Sequence, residues 1–141
     1  MRWLLDTNVV TSALLWGGKP RLLPDAARDK RIELFTSVAL LAELTNILSR
    51  TKFATKIAAS PLTIDQIVDA YAVLATVVRP VPVPRVAPDP DDDVVIATAL
   101  AANAEIIVTG DIALLSVGNY QGVTLVTVSA ALERLGVVRS Q

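Results

Sequence analysis

Two aspartates close apolar runs in the same way. Asp6 ends the run Arg2–Leu5, and Asp111 follows residues 105–109 (EIIVT) across Gly110. If both runs are adjacent parallel strands, their carboxyl ends open on one crevice, the place where ligands bind in open α/β sheets. A third group of acids, Asp89, Asp91, Asp92 and Asp93, opens a helical stretch just before the second run. A turn of the preceding segment can bring Asp93 to the same end of the sheet. A fourth acid, Glu43, borders the stripe Leu40, Leu41, Leu44, Ile47 and Leu48, whose spacing is that of a buried helix face. An acid there needs a cation or water; Arg50, seven residues on, is one candidate partner and a metal is another.

Composition narrows the chemistry. The 141 residues hold no histidine and no cysteine. That excludes disulfides, a thiolate nucleophile, a Cys/His zinc site and a Ser-His-Asp triad. Any metal ligands are hard oxygens, which favour Mg2+ or Mn2+. Four acidic centres in one crevice repel one another, and a divalent cation is their natural counterion. Each acid also has a plain structural role open to it. Asp6 and Asp111 can cap the helices that follow them, Asp91 to Asp93 suit the positive end of a helix dipole, and Glu43 can be a surface acid.

The elements that must position these acids alternate. Strands are expected at Arg2–Leu5, 32–36, 105–109 and 123–128, with an edge-like strand at 81–83. Helices are expected at 9–16, 21–31, 37–50, 52–59, 63–78, 91–103, 111–116 and 129–135. Thr63 and Gln66 form a capping box. Five prolines fall between residues 79 and 90 (RPVPVPRVAPDP), a stiff connector in a single domain spanning residues 1–141. The chain is 52% hydrophobic and 4% aromatic, so its core is aliphatic, as strands covered on both faces require. The pattern is that of a parallel α/β sheet. No apolar run reaches the ~20 residues of a membrane span, and the N-terminus lacks the long apolar stretch of a signal peptide, so a cytoplasmic protein is expected.

Four strings in order, LLDTNVVTSALLW, VALLAELTNILSRTKF, DPDDDVVIATALAANAE and IIVTGDIALL, resemble the PIN-domain nucleases. More narrowly, they resemble the VapC-like toxins of bacterial toxin–antitoxin systems, over about residues 2–130. The resemblance implies a three-layer α/β/α domain around a mostly parallel sheet of four to five strands. It implies an Mg2+- or Mn2+-dependent endoribonuclease. It also implies an antitoxin protein as partner and a homodimer or higher oligomer. Carried over residue by residue, Asp6, Glu43, Asp93 (of Asp93-Val94-Val95-Ile96-Ala97) and Asp111 match the catalytic acids. Asn8 and Thr109 match supporting polar residues. On this reading Asp6, Asp93 and Asp111 hold the main metal, while Glu43 binds a second ion or orients water. One departure stands out. Where relatives often carry another acid two residues after Asp111, this chain has Ala113, and Asp92 or Asp89 is left to compensate.

The charge distribution fits an RNA substrate. Residues 1–60 carry nine basic and five acidic side chains, residues 61–141 four and nine. A basic rim about an acidic centre suits a polyanion, with Arg50 and Lys52 the first candidates for RNA contact. Two other functions compete. A phosphohydrolase of the haloacid dehalogenase type begins with the same strand and Asp but needs a second Asp where Asn8 stands. A non-catalytic PIN-like module would keep the acids only as caps. A receiver domain is a poor reading, because it needs a late lysine and none follows Lys56.

Overall fold

Alternation of side chains along the strands organises the molecule, whose computed structural model describes residues 1–136, the side chain of Asp91 excepted. Residues 137–141 of the expected domain lie outside the described part. Strands β1 (Arg2–Leu5), β2 (Glu33–Thr36), β3 (Thr76–Val77), β4 (Ile106–Val108), β5 (Asn119–Tyr120) and β6 (Val123–Val126) form one sheet in the order β3-β2-β1-β4-β6-β5. Every pairing is parallel except that of β5 with β6. Because successive side chains point to opposite faces, Trp3, Leu5, Leu34, Ile106 and Val108 enter one apolar cluster. Leu4, Phe35, Ile107 and Leu125 enter another. The first is covered by α1 (Thr7–Leu15), α2 (Leu22–Arg28), α3 (Val38–Leu48), α5 (Ile64–Leu74) and α8 (Val128–Arg134). The second is covered by α6 (Pro90–Ala101) and α7 (Ile112–Leu115). A short α4 (Ala54–Ala59) precedes α5. This is the three-layer α/β/α arrangement expected, with six strands rather than four or five.

Helix starts follow the capping residues. Asp6 accepts from Thr7 N, Ser37 from Leu40 N and Thr127 from Ala130 N, and the Thr63/Gln66 capping box is formed. Capping by Asp6 starts α1 two residues earlier than the apolar pattern suggests.

Two expectations fail near the sheet edges. The third strand is Thr76–Val77, not 81–83, and α5 stops at Leu74 instead of running to 78. Ala75 leaves the helix with extended backbone, so the β-branched Thr76 and Val77 pair with Phe35 and Thr36. Past Val78, prolines 80, 82 and 84 lack the N–H a ladder needs, and Val81 N turns to Ala97 O instead (3.3 Å). The antiparallel β5 was not expected at all. Its two-residue loop, Gln121-Gly122, has positive φ at both positions (49° and 89°). A type I′ hairpin turn requires this, and Asn-Gly advertises it far more openly than Gln-Gly.

Ile107 is fully buried in the central strand β4. Ile107→Ala is expected to cost about 2–5 kcal/mol, read as a lowered urea midpoint with an unchanged slope.

Candidate active site

Parallel pairing of β1 with β4, in the register Leu5↔Val108, sets Asp6 and Thr109 side by side just past the strand ends. Asp6 N extends the ladder to Val108 O (2.9 Å), and Thr109 N reaches Val126 O (2.9 Å). Thr109 is completely buried. Its hydroxyl donates to Asp6 Oδ2 (2.7 Å) and accepts from Asp111 N (3.0 Å). One side chain thus ties both aspartates together. The other oxygen of Asp6 accepts from Thr7 N (2.8 Å). Asp111 Oδ1 caps α7, accepting from Ala113 N (2.8 Å) and Leu114 N (3.4 Å).

The electrostatics are one-sided. Burial pushes the Asp6 carboxyl above the usual carboxylate range. The Thr109 and Thr7 hydrogen bonds pull it back, and the charges of Glu43 and Asp111 push it up again. Asp92 is pushed up to about 6, first by burial and then by Asp111, Asp6, Asp89 and Glu43. Among the described residues, every charged group acting on either aspartate is another acid. Asp92 Oδ2 is buried with no hydrogen-bond partner among the described residues.

The acid that faces Asp6 and Asp111 from α6 is therefore Asp92. The sequence expectation placed Asp93 there. Adjacent helix residues point ~100° apart, and Asp93 points the other way, into the proline-rich connector. Its Oδ1 accepts from Val86 N (3.0 Å) and Ala87 N (2.7 Å), and Arg85 Nε lies 3.3 Å from its Oδ2. These contacts occupy both oxygens of a side chain that is 12% exposed. Nothing in the spacing DPDDDVVIA distinguishes the two aspartates. Only the path of residues 85–87 does.

Glu43 sits half-buried in the second turn of α3, within electrostatic reach of Asp6 and Asp92. Helices α3 and α6 are joined where Thr98 Oγ1 meets Ser37 Oγ (3.1 Å), both residues fully buried. Asn8 is exposed in the first turn of α1. Arg50 and Lys52 do not join the acids. They lie beyond the C-terminal end of α3, where Lys52 Nζ covers the Phe53 ring at 5.1 Å. Among the described residues, no three acidic side chains meet within reach of one ion as placed. The larger cavities, of about 410 and 590 Å3, open among the helices on one side of the sheet, away from the acids.

The model of the PIN domain family matches residues 2–113. The chain belongs to the PIN domain family. Among solved structures, a chain of the VapBC2 complex from Rickettsia felis, bound to a DNA fragment from its promoter, is similar in fold. The TM-score is 0.60 at 17% identity, covering 90% of this chain and 98% of that one. No curated protein sequence gives a match. In this PIN domain the matched span contains Asp6, Glu43, Asp92, Asp93, Thr109 and Asp111.

The raised carboxyls fix the sign of a pH effect. A carboxyl whose folded pKa lies above its unfolded value stabilises the fold fully below the unfolded pKa, and that contribution is lost as pH rises through the folded pKa. For Asp92 the window runs from about 3.8 to about 6. In metal-free buffer, Asp92→Asn is expected to raise Tm at pH 8 and to flatten the decline in Tm between pH 4 and 7. A variant that melts below wild type at pH 8 would contradict the repulsion described.

Proposed function

We propose that this PIN domain is a divalent-metal-dependent endoribonuclease and the toxin half of a toxin–antitoxin pair. One observation carries the reading: Asp111 and Glu43 act on both Asp6 and Asp92 at the ends of β1 and β4, and among the described residues every charge acting on those two aspartates is another acid. Charge left unpaired in this way calls for a cation.

The residues fit Mg2+ or Mn2+. All candidate donors are carboxylate oxygens, and the buried Oδ2 of Asp92 lacks a partner among the described residues. Asp6, Asp92 and Asp111 would hold the ion, with Asp92 in the role first expected of Asp93. Glu43 would hold a second ion or orient water. Loading would require the carboxylates to rotate from their present positions. Bound there, the ion would supply charge stabilisation at the phosphoryl oxygens and a more acidic water.

The chain's own groups do the positioning. Thr109 fixes the plane of Asp6 through Oδ2. Asp111 is anchored through Oδ1 to the first turn of α7, and its other oxygen accepts no hydrogen bond among the described residues. Glu43, with no histidine anywhere in the chain, is the side chain available to accept a proton from an attacking water. An RNA strand leaving the acids along α3 would meet Arg50 about 10 Å beyond Glu43, at ~1.5 Å per helical residue, and Lys52 just after it.

The antitoxin partner, a homodimer or higher oligomer and a cytoplasmic location belong to the same proposal. Likeness of fold to a chain of the VapBC2 complex supports the partner. The described residues contain no single helix long and apolar enough to cross a membrane.

The test pairs cleavage with binding. Purified protein is expected to cut single-stranded RNA with Mn2+ and not with EDTA, and Mn2+ is expected to raise Tm by mass action. Asp6→Asn, Asp92→Asn and Asp111→Asn should each lower cleavage by roughly 100-fold or more, the scale of losing one preorganised electrostatic group. Asp93→Asn should instead lower Tm and keep the Mn2+-linked gain. A non-catalytic module would show neither cleavage nor that gain. Full activity in Asp92→Asn beside an inactive, normally stable Asp93→Asn would return the site to Asp93.

A further inference from the structure

Directly behind Asp6, two hydroxyls are buried and have no hydrogen-bond partner among the described residues: Thr7 Oγ1 at the start of α1 and Tyr71 Oη on α5. Each residue is 3% exposed. Both line one cavity of about 10 Å3, whose other walls are Leu5, Val10, Leu40, Leu41, Leu44 and the hydroxyl-bearing Thr36. A buried hydroxyl left without a partner destabilises the fold, and here two lie in one cavity. A cavity of this size holds about one water, and buried waters take two to four polar partners.

We propose that this cavity binds one ordered water bridging Tyr71 Oη and Thr7 Oγ1, and that Tyr71 is thereby a positioning residue for Asp6. The bridge crosses from α5 to the first residue of α1. Thr7 is also the residue whose N–H donates to Asp6 Oδ1 (2.8 Å). Asp6 is then held from both sides: through Oδ2 by Thr109, and through Oδ1 by a peptide that the water fastens to α5. No acid or base is needed for this. Tyr71 stays a neutral phenol, since burial alone pushes its ionisation well above the ordinary value. The positioning role rests on the proposed metal site, whereas the water does not.

Thr7→Val and Tyr71→Phe each remove one hydroxyl and keep the shape of the wall. Measured on the full chain in metal-free buffer, each single variant should lower Tm by stranding the other hydroxyl. The double variant should melt no lower than the weaker single, because removing both partners together leaves nothing unpaired. Additive losses would overturn the bridge. So would a high-resolution crystal structure of the wild type with no density between the two hydroxyls. Thr7→Ser, which retains the hydroxyl, should keep the wild-type response to Tyr71→Phe, and a Thr7→Ser background that behaves like Thr7→Val would also count against the bridge. The positioning role is read separately, as Mn2+ affinity from the metal-linked rise in Tm. Tyr71→Phe should weaken it roughly tenfold, the low end for partners outside the ligand shell, and an unchanged affinity would overturn that role. A wild type with no Mn2+-linked rise would sink the nuclease reading alone, and the cycle and the crystal structure would still decide the water.

Discussion

The hydroxyl of Thr109 is the interaction on which the site depends. It donates to Asp6 and accepts from the Asp111 backbone, and it can do both only because β1 and β4 are parallel neighbours in a fixed register. A shift of one residue would turn every side chain of β4 to the opposite face. It would exchange Ile107 with its neighbours between the two apolar clusters and carry Thr109 away from Asp6. The packing of the two faces and the geometry of the crevice are therefore set by the same constraint. The apolar clusters supply the energy that holds the register, and Thr109 converts it into a spacing between two carboxylates.

Around that pair the molecule gathers negative charge. Asp92 arrives on α6 and Glu43 on α3, and among the described residues the charges acting on Asp92 are all acids. The cost is borne by burial in the core and by backbone N–H groups at the helix starts, where Asp6 and Asp111 serve as caps. The capping roles open to these residues in the sequence are thus realised, and they do not compete with the functional ones. Capping uses one oxygen of Asp111 and leaves the other without a hydrogen bond among the described residues.

Much of this was legible in the sequence. The aliphatic alternation gave the sheet, the strand-ending aspartates gave the crevice, and Asp6, Thr109 and Asp111 stand together as their topology required. Three features were not legible, each for a physical reason. Asp92 and Asp93 are chemically identical neighbours, and what separates them is a contact with residues 85–87 through a connector whose turn no spacing rule predicts. The strand at Thr76–Val77 follows a capping-box helix so closely that the helical pattern runs over it. Arg50 and Lys52 share the α3 segment with Glu43 in sequence, yet a helix carries successive turns away from one another. Proximity along the chain there means separation in space.

The hydroxyl pair of Thr98 and Ser37 has a consequence for how the site responds to its surroundings. It joins the helix that carries Asp92 to the helix that carries Glu43, and it does so with two uncharged groups. Ionic strength screens charges and leaves a neutral hydrogen bond between buried groups almost untouched. The carboxylates gain and lose protons or counterions as conditions change, while the two helices keep their spacing. The frame is insulated from the chemistry it carries.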